Sequence, residues 1–286
     1  MLPSTSPDFK PRRINTPSPN TNRLFAWALA AVLLASQARA DQEKPQQEAA
    51  HWGYAGEQGP EHWGDLDEKN KACKVGQQQS PIDIETKGEE AAKPEDLPNI
   101  TFRWSAGPVA GEVVNNGHTI QFNAPAGSSI EVGGTRYELA QFHFHAPSEH
   151  TIDGKHASME VHFVYETAVG KLGVVGVLMR SRVDSGDAPA NAALEPIWAA
   201  MPKKSEQSVE GVKVDLGKLL PASHVYYAYE GSLTTPPCSE GVHWMVLEGS
   251  IPVSRAQVKA FNDLFHHNAR PVQARNAREL RLDSTP

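Results

Sequence analysis

The chain has 286 residues, with 27 Lys and Arg against 34 Asp and Glu and a formal net charge of −7. That balance argues against nucleic acid as a partner, because phosphate recognition rests on a basic surface. Apolar residues make up 39% of the chain, enough for one domain of this size to bury a large core.

The first 40 residues read as an export signal. Lys10, Arg12, Arg13 and Arg23 precede an apolar run over 24–35 that is too short to span a bilayer. Ala38-Arg39-Ala40 follows as a small-residue cleavage site. The Arg12-Arg13 pair lies far from the apolar run and is incidental. Cleavage after Ala40 removes five basic residues and one acid and leaves a net charge of −11. The expected location is periplasmic or secreted, with no later membrane segment. Residues 41–50 are polar and without periodicity, a flexible linker.

Residues 87–98 form a charged, proline-bearing loop. Beyond Trp104, short β-rich runs recur between turn signals. Residues 112–114 and 119–122 flank Asn115-Asn116-Gly117, a strong hairpin signal. Further strands are predicted over 129–132, 137–145, 159–165, 172–179, 225–229 and 242–247. A helix is predicted within 188–201, interrupted by Pro196. Ser254-Arg255-Ala256-Gln257 is a capping box that opens a helix running to about His266. The sum is a mainly β (α+β) single domain over 51–281 with peripheral short helices, followed by a tail over 282–286.

Three histidines carry the chemistry. Gln141-Phe142-His143-Phe144-His145 and Glu160-Val161-His162-Phe163-Val164 both alternate with the period of a strand. His143 and His145 share one face, with Phe142 and Phe144 behind them. If the two strands pair, three imidazoles converge. Three neutral nitrogens with one open position make a catalytic zinc arrangement, since structural sites are closed by four protein ligands. A metal-bound imidazole needs its other N–H held by an acceptor. Gln141 and Glu160 lie two residues before His143 and His162 on the same faces and suit that role. Of the other nine, all but His118 (His51, His62, His150, His156, His224, His243, His266 and His267) read as structural or solvated.

Cys73 and Cys238 are the two cysteines. An even count in an exported protein favours a disulfide, with two buried thiols as the alternative.

Taken together, the chain resembles the α-class carbonic anhydrases, and closely their exported bacterial members. The likeness runs from about His51 to Leu280. It rests on Trp52-Gly53-Tyr54, Gly59-Pro60-Glu61-His62-Trp63, Gln79-Ser80-Pro81-Ile82-Asp83 and Asn115-Asn116-Gly117-His118. It continues through both histidine segments, Ser148-Glu149-His150, Gly231-Ser232-Leu233-Thr234-Thr235-Pro236-Pro237 and Asn268-Ala269-Arg270-Pro271. The resemblance implies a twisted, mostly antiparallel central sheet with Zn²⁺ at the base of a cone. It implies reversible hydration of carbon dioxide to bicarbonate by hydroxide on zinc, a lyase reaction.

By the same resemblance, Thr234 and Glu149 are a gatekeeping pair that orients the attacking oxygen, and His118 is the proton shuttle. A backbone carbonyl near Asn268 is the outer partner of His145. Tyr54, Asn115 and Gln121 hold connecting waters, although the family often has asparagine where Gln121 stands. Val164, Val174, Leu233 and Trp244 wall the substrate pocket together with Thr235. Cys73 and Cys238 match the family's exported disulfide. Anions and sulfonamides are the expected inhibitors at zinc, and a homodimer is expected. His118 follows a tight turn and is expected to be an exposed, mobile ring. Two rival readings fit the pattern less well. In a cupin-like metal oxygenase Glu149 would be a ligand, but the chain lacks the second cupin block. A non-catalytic relative that only binds partners would typically lack one of the three histidines.

Overall fold

The computed structural model describes residues 51–104, 107–183 and 186–284; the proposed signal and linker lie outside them. Strand alternation dominates the result, as the sequence pattern requires. Ten strands follow one path across a twelve-stranded sheet. In chain order these are β1 (Lys93–Glu95), β2 (Val109–Asn115), β3 (Ile120–Asn123), β4 (Thr135–His145), β5 (Met159–Glu166), β6 (Leu172–Arg180), β7 (Gln207–Val214), β8 (Tyr226–Ser232), β9 (Glu240–Pro252) and β10 (Arg281–Asp283). Their order in space is β7-β2-β3-β4-β5-β6-β9-β8-β10-β1. Two further strands, Thr101–Arg103 and Ser129–Val132, pair with each other, and the second joins β4. Within the path, β6 with β9 and β10 with β1 are parallel and the other pairs antiparallel.

The two faces of β4 and β5 have different fates, and this positions the site. Phe142, Phe144, Val161 and Phe163 are fully buried on one face in the main apolar core. Phe122 and Phe142 stack with ring centroids 4.9 Å apart, and Phe142 lies 5.1 Å from Phe163. Burying one such side chain is worth about 1.5–3 kcal/mol. A one-residue slip would turn these rings to the metal face, so the core fixes the histidine register. On the opposite face a smaller apolar cluster gathers Val174, Tyr229, Val242 and Trp244, with Val164 and Leu233 packed against it.

Several expected boundaries are corrected. The loop over 87–98 contains β1, which pairs with β10, so Leu282 and Asp283 belong to the sheet and not to a free tail. Pro196 does not interrupt a helix. It stands in the first turn of Glu195–Ala200, where its missing N–H costs no helical bond. The Ser254 capping box is present, with helix Arg255–Phe265. Among the described residues, no helix is long and apolar enough to cross a membrane.

Candidate metal centre and active site

Antiparallel pairing sets His162 of β5 directly opposite His143 of β4, and Glu160 opposite His145. The three rings meet, with centroids 4.6–5.4 Å apart. One ligand atom from each of His143, His145 and His162 lies within 4.8 Å of the others.

Two of the rings hydrogen-bond through one nitrogen, and the third places one nitrogen beside a carboxylate. His143 Nδ1 lies 2.9 Å from Gln141 Oε1, and His145 Nδ1 lies 2.7 Å from the Asn268 carbonyl. His162 Nε2 lies 3.0 Å from Glu160 Oε1. That leaves Nε2 of His143, Nε2 of His145 and Nδ1 of His162 to face the common point. His145 Nε2 is buried without a hydrogen-bond partner, and His162 Nε2, although close to Glu160, also completes no hydrogen bond; a folded protein tolerates such orphaned nitrogens badly unless something else occupies them. Burial lowers all three imidazole pKa values, that of His145 to about 4. Neutral imidazoles are the form that binds metal. The donor set, its charge state and its orphaned nitrogen fit a divalent zinc-like ion.

Glu160 also anchors a network that sequence reasoning left unassigned. Its Oε2 accepts the backbone N–H groups of Glu149 and His150, each at 2.9 Å. His150 Nδ1 lies 2.8 Å from Glu160 Oε1, and its Nε2 lies 2.7 Å from the Tyr229 hydroxyl. The Tyr229 hydroxyl donates to Ser80 Oγ at 2.9 Å. His150, Glu160 and His162 also lie close enough to hold an ion. Both ring nitrogens of His150 are already bonded within the protein, so this group is a support for the metal cup. Burial raises the Glu160 pKa, but His150 and His162 outweigh it and hold the carboxyl well below its usual range. Gly176 of β6 is the residue paired with His162. A Cβ there would stand 2.9 Å from Glu160 Oε1, so the glycine leaves space for the carboxylate. The Ser148-Glu149-His150 segment was the one sequence signal for this network.

Glu149 is fully buried, and its Oε1 accepts the Arg270 backbone N–H at 2.8 Å. Oε2 has no completed hydrogen bond, and the Thr234 hydroxyl is the side-chain donor near enough to lower this carboxyl's pKa. Burial is the larger influence and pushes Glu149 up to about 7. A cation held by the three imidazoles acts the other way and favours the carboxylate. Arg270 is itself buried: Nη1 donates to Gln79 Oε1 and the Ser80 carbonyl, and Nη2 to the Cys73 carbonyl.

The four apolar residues expected to form a wall lie in one cluster. Val174 and Trp244 face each other across β6 and β9, and the Trp244 ring lies 4.9 Å from that of His162. Val164 and Leu233 complete the cluster. A cavity of about 120 Å³ opens beside the metal cup, lined by Tyr54, Gln121, His143, His145, Thr235 and His118 among others. Burial, and then the Glu149 charge, raises the Tyr54 pKa well above its usual value.

Asn115 is corrected. It ends β2 with its side chain turned away from this cavity: Nδ2 donates to the Pro202 carbonyl at 3.0 Å and Oδ1 accepts the Gly117 N–H. Asn116, one residue on, lines the cavity instead, and its Nδ2 lies 3.4 Å from Gln121 Oε1. His118 is also not the exposed ring expected. It is half-buried and stacked on Trp52, with centroids 3.7 Å apart and planes 7° from parallel. Burial, then the nearby His51, lowers its pKa. Cys73 and Cys238 form the disulfide.

A tris-imidazole cup on a mixed, mostly antiparallel sheet, beside one pocket, is a group that could hold a metal ion. Comparison with known proteins carries this to a family. The eukaryotic-type carbonic anhydrase family model matches residues 58–284. A carbonic anhydrase of Klebsiella pneumoniae is 43% identical over 234 residues, covering 80% of this chain and 90% of that protein. A carbonic anhydrase of Neisseria gonorrhoeae is 40% identical over 231 residues, covering 80% and 86%. The α-carbonic anhydrase of Thermovibrio ammonificans, solved with the inhibitor sulfanilamide, superposes with a TM-score of 0.75 at 43% identity, covering 82% of this chain and 99% of that one. The chain belongs to the eukaryotic-type, or α, carbonic anhydrase family, and its activity is the reversible hydration of carbon dioxide to bicarbonate and a proton.

Proposed function

We propose that the metal is zinc, held by His143, His145 and His162, and that the residues around it divide the reaction as follows. The observation that carries this reading is the convergence of three imidazoles, each with its other ring nitrogen beside an acceptor: Gln141, the Asn268 carbonyl or Glu160. When bound, zinc supplies a Lewis acid and a water acidified toward neutral pH, the property for which this family is the standard example. Gln141, Glu160 and the Asn268 carbonyl orient the three rings. Glu149 takes the Thr234 proton as a hydrogen-bond acceptor, leaving the threonine oxygen as an acceptor on its pocket side. That fixes the orientation of the attacking oxygen. Val164, Val174, Leu233 and Trp244 hold apolar carbon dioxide, and Thr235, Tyr54, Asn116 and Gln121 line the wetter approach. His118 carries the proton outward. Sulfonamides and small anions compete for the open position. The basic, apolar and Ala-x-Ala pattern over 1–40, together with the disulfide, supports export to the periplasm or beyond.

The test is zinc analysis beside stopped-flow hydration on purified protein. Thr234→Ala should keep one zinc per chain and slow hydration by about tenfold to a hundredfold, the equivalent of ~1–3 kcal/mol for one well-placed hydrogen bond. Normal zinc with an unchanged rate overturns the gate. His118→Ala should lower maximal turnover in weak buffer and leave kcat/KM for carbon dioxide intact, because only regeneration of the active form needs a proton acceptor. Added imidazole should restore much of the rate. Wild type and variant responding alike to buffer overturns the shuttle.

A further inference from the structure

A further cavity lies on the reverse face of the sheet from the metal cup. Strand alternation sorts β8 and β9 between the two faces. Tyr229 and Trp244 belong to the cluster on the metal side, and Ala228 and Met245 to the main core. Glu230 and His243 keep the parity of Ala228 and Met245, one step beyond the core. Pairing sets Glu230 of β8, His243 of β9 and Gly173 of β6 side by side, next to the row Tyr229, Trp244 and Val174. A cavity of about 440 Å³ opens there, lined by Glu230 and His243 among others.

Its lining has an apolar and a polar part. Leu97, Pro98, Val132, Leu172 and Tyr226 supply the first. The Tyr226 hydroxyl donates to the Pro98 carbonyl at 2.8 Å, which fixes that wall. Tyr137, Lys171, Glu230, His243 and Arg281 supply the second. Glu230 Oε1 lies 2.7 Å from His243 Nδ1. That hydrogen bond is the main influence holding the Glu230 carboxyl below its usual range; partial burial opposes it, and the charges of His243, Arg281 and Lys171 add to it. Lys171 and Arg281 therefore both bear on the Glu230 end of the cavity. Among the described residues, Lys171 Nζ is in no ion pair and the Tyr137 hydroxyl makes no hydrogen bond. Arg281 Nη1 lies 3.9 Å from Glu95 Oε1, too far for a hydrogen bond. Burial, then the Glu230 charge, raises the Tyr137 pKa, so its hydroxyl stays a donor. A Cβ on Gly173 would stand 3.2 Å from the Tyr137 ring, so the glycine lets that ring lie close against β6.

We infer that this cavity is a second binding site, which takes a small monocarboxylate with an apolar body. Lys171 and Arg281 receive the carboxylate, with the Tyr137 hydroxyl as a further donor. Leu97, Pro98, Val132 and Leu172 receive the body. Charge-assisted hydrogen bonds to an anion satisfy donors that the protein itself leaves unpaired. Glu230 limits the charge the site accepts: it repels a dianion, and its Oε1 is already engaged by His243. A cavity of this size with a few convergent polar groups suits a small organic ligand. The site uses no residue of the metal cup, and it backs the strands that carry Val174 and Trp244.

Benzoate is the probe. Zinc-loaded protein is first saturated with sulfanilamide to close the position at the metal. Benzoate is then titrated at low ionic strength and followed by amide NMR. Binding should saturate with a Kd of about 0.1–1 mM, and the shifts should centre on Gly133, Leu172 and Gly241 of the cavity lining. Benzyl alcohol, with the same ring and no charge, should bind about tenfold more weakly or worse. Lys171→Gln/Arg281→Gln should weaken benzoate by about tenfold and leave the hydration rate at the wild-type value. No saturable benzoate binding overturns the site. Equal binding of benzyl alcohol overturns the carboxylate, and tighter binding of benzylamine does so by assigning the cavity to cations at Glu230. Benzoate binding that is unchanged in the double variant, or shifts confined to the metal face, also overturns the inference. Should the double variant fold poorly, Lys171→Gln alone, at an exposed position, must weaken benzoate by about threefold.

Discussion

Replacing His162 with alanine removes zinc and hydration activity together. Two imidazoles remain, but a tetrahedral site with two protein ligands no longer holds a catalytic ion at useful affinity. Without the ion the reaction loses its acidified water and its Lewis acid. The expected loss is about a thousandfold or more, or roughly 4 kcal/mol of barrier. The fold should survive, because Val161 and Phe163 bury the other face of β5 and are untouched. Zinc content, far-UV circular dichroism and stopped-flow hydration on one preparation decide the matter. A metal-free His162→Ala protein with full activity sinks the assignment. The substitution also strips Glu160 of one of its two histidine partners. His150→Phe therefore serves as a control: it disturbs the support and keeps all three ligands, so it should weaken zinc binding far less than His162→Ala.

How much of this was legible beforehand follows from what is local. Period-two alternation displays the metal face of β4 and β5 directly in Gln141-x-His143-x-His145 and Glu160-x-His162. The capping box at Ser254 is equally local. What the alternation does not encode is which strand lies beside which. β1 and β10 are three residues each, polar, and pair across almost 190 positions, so they read as a loop and a tail. The edge strand β7 carries little alternation because its first five residues are all exposed. The misplacement of Asn115 is a one-residue error at a turn, where the strand period stops and two adjacent asparagines look equivalent. In the structure one is consumed by Pro202 and Gly117 and the other faces the cavity. His150 was invisible as a support because its partner Tyr229 is 79 residues away in sequence, and Ser80, which Tyr229 bonds in turn, is 70 away. The stacking of His118 on Trp52 depends on a contact between a segment before the first strand and a hairpin turn, which neither segment signals alone.

Removing the disulfide should cost about 2–5 kcal/mol of stability. Cys73 and Cys238 are separated by 165 positions, and the chain-entropy model gives roughly 5 kcal/mol for a loop of that length. Measured disulfides commonly deliver less than the model, which sets the lower end. For a domain of this size, that corresponds to a melting temperature lower by about 5–20 °C. The bond also sits under the catalytic loop. The Cys238 N–H donates to the Thr235 carbonyl, and Gln79 Nε2 donates to the Cys238 carbonyl. Arg270 reaches the Cys73 carbonyl from one end, and its own N–H holds Glu149 at the other. The staple thus fastens the early segment to the Thr235 turn and, through Arg270, to Glu149. Cys73→Ser/Cys238→Ser should melt earlier than wild type. Well below its midpoint it should keep one zinc per chain, since the three histidines sit on β4 and β5, away from both cysteines in sequence. Thermal melting with and without reductant, and thiol titration of the native oxidised protein, supply the two readouts. Two titratable thiols in the folded oxidised protein, or a double-serine variant that melts with wild type, would show that the bridge does not hold this domain together.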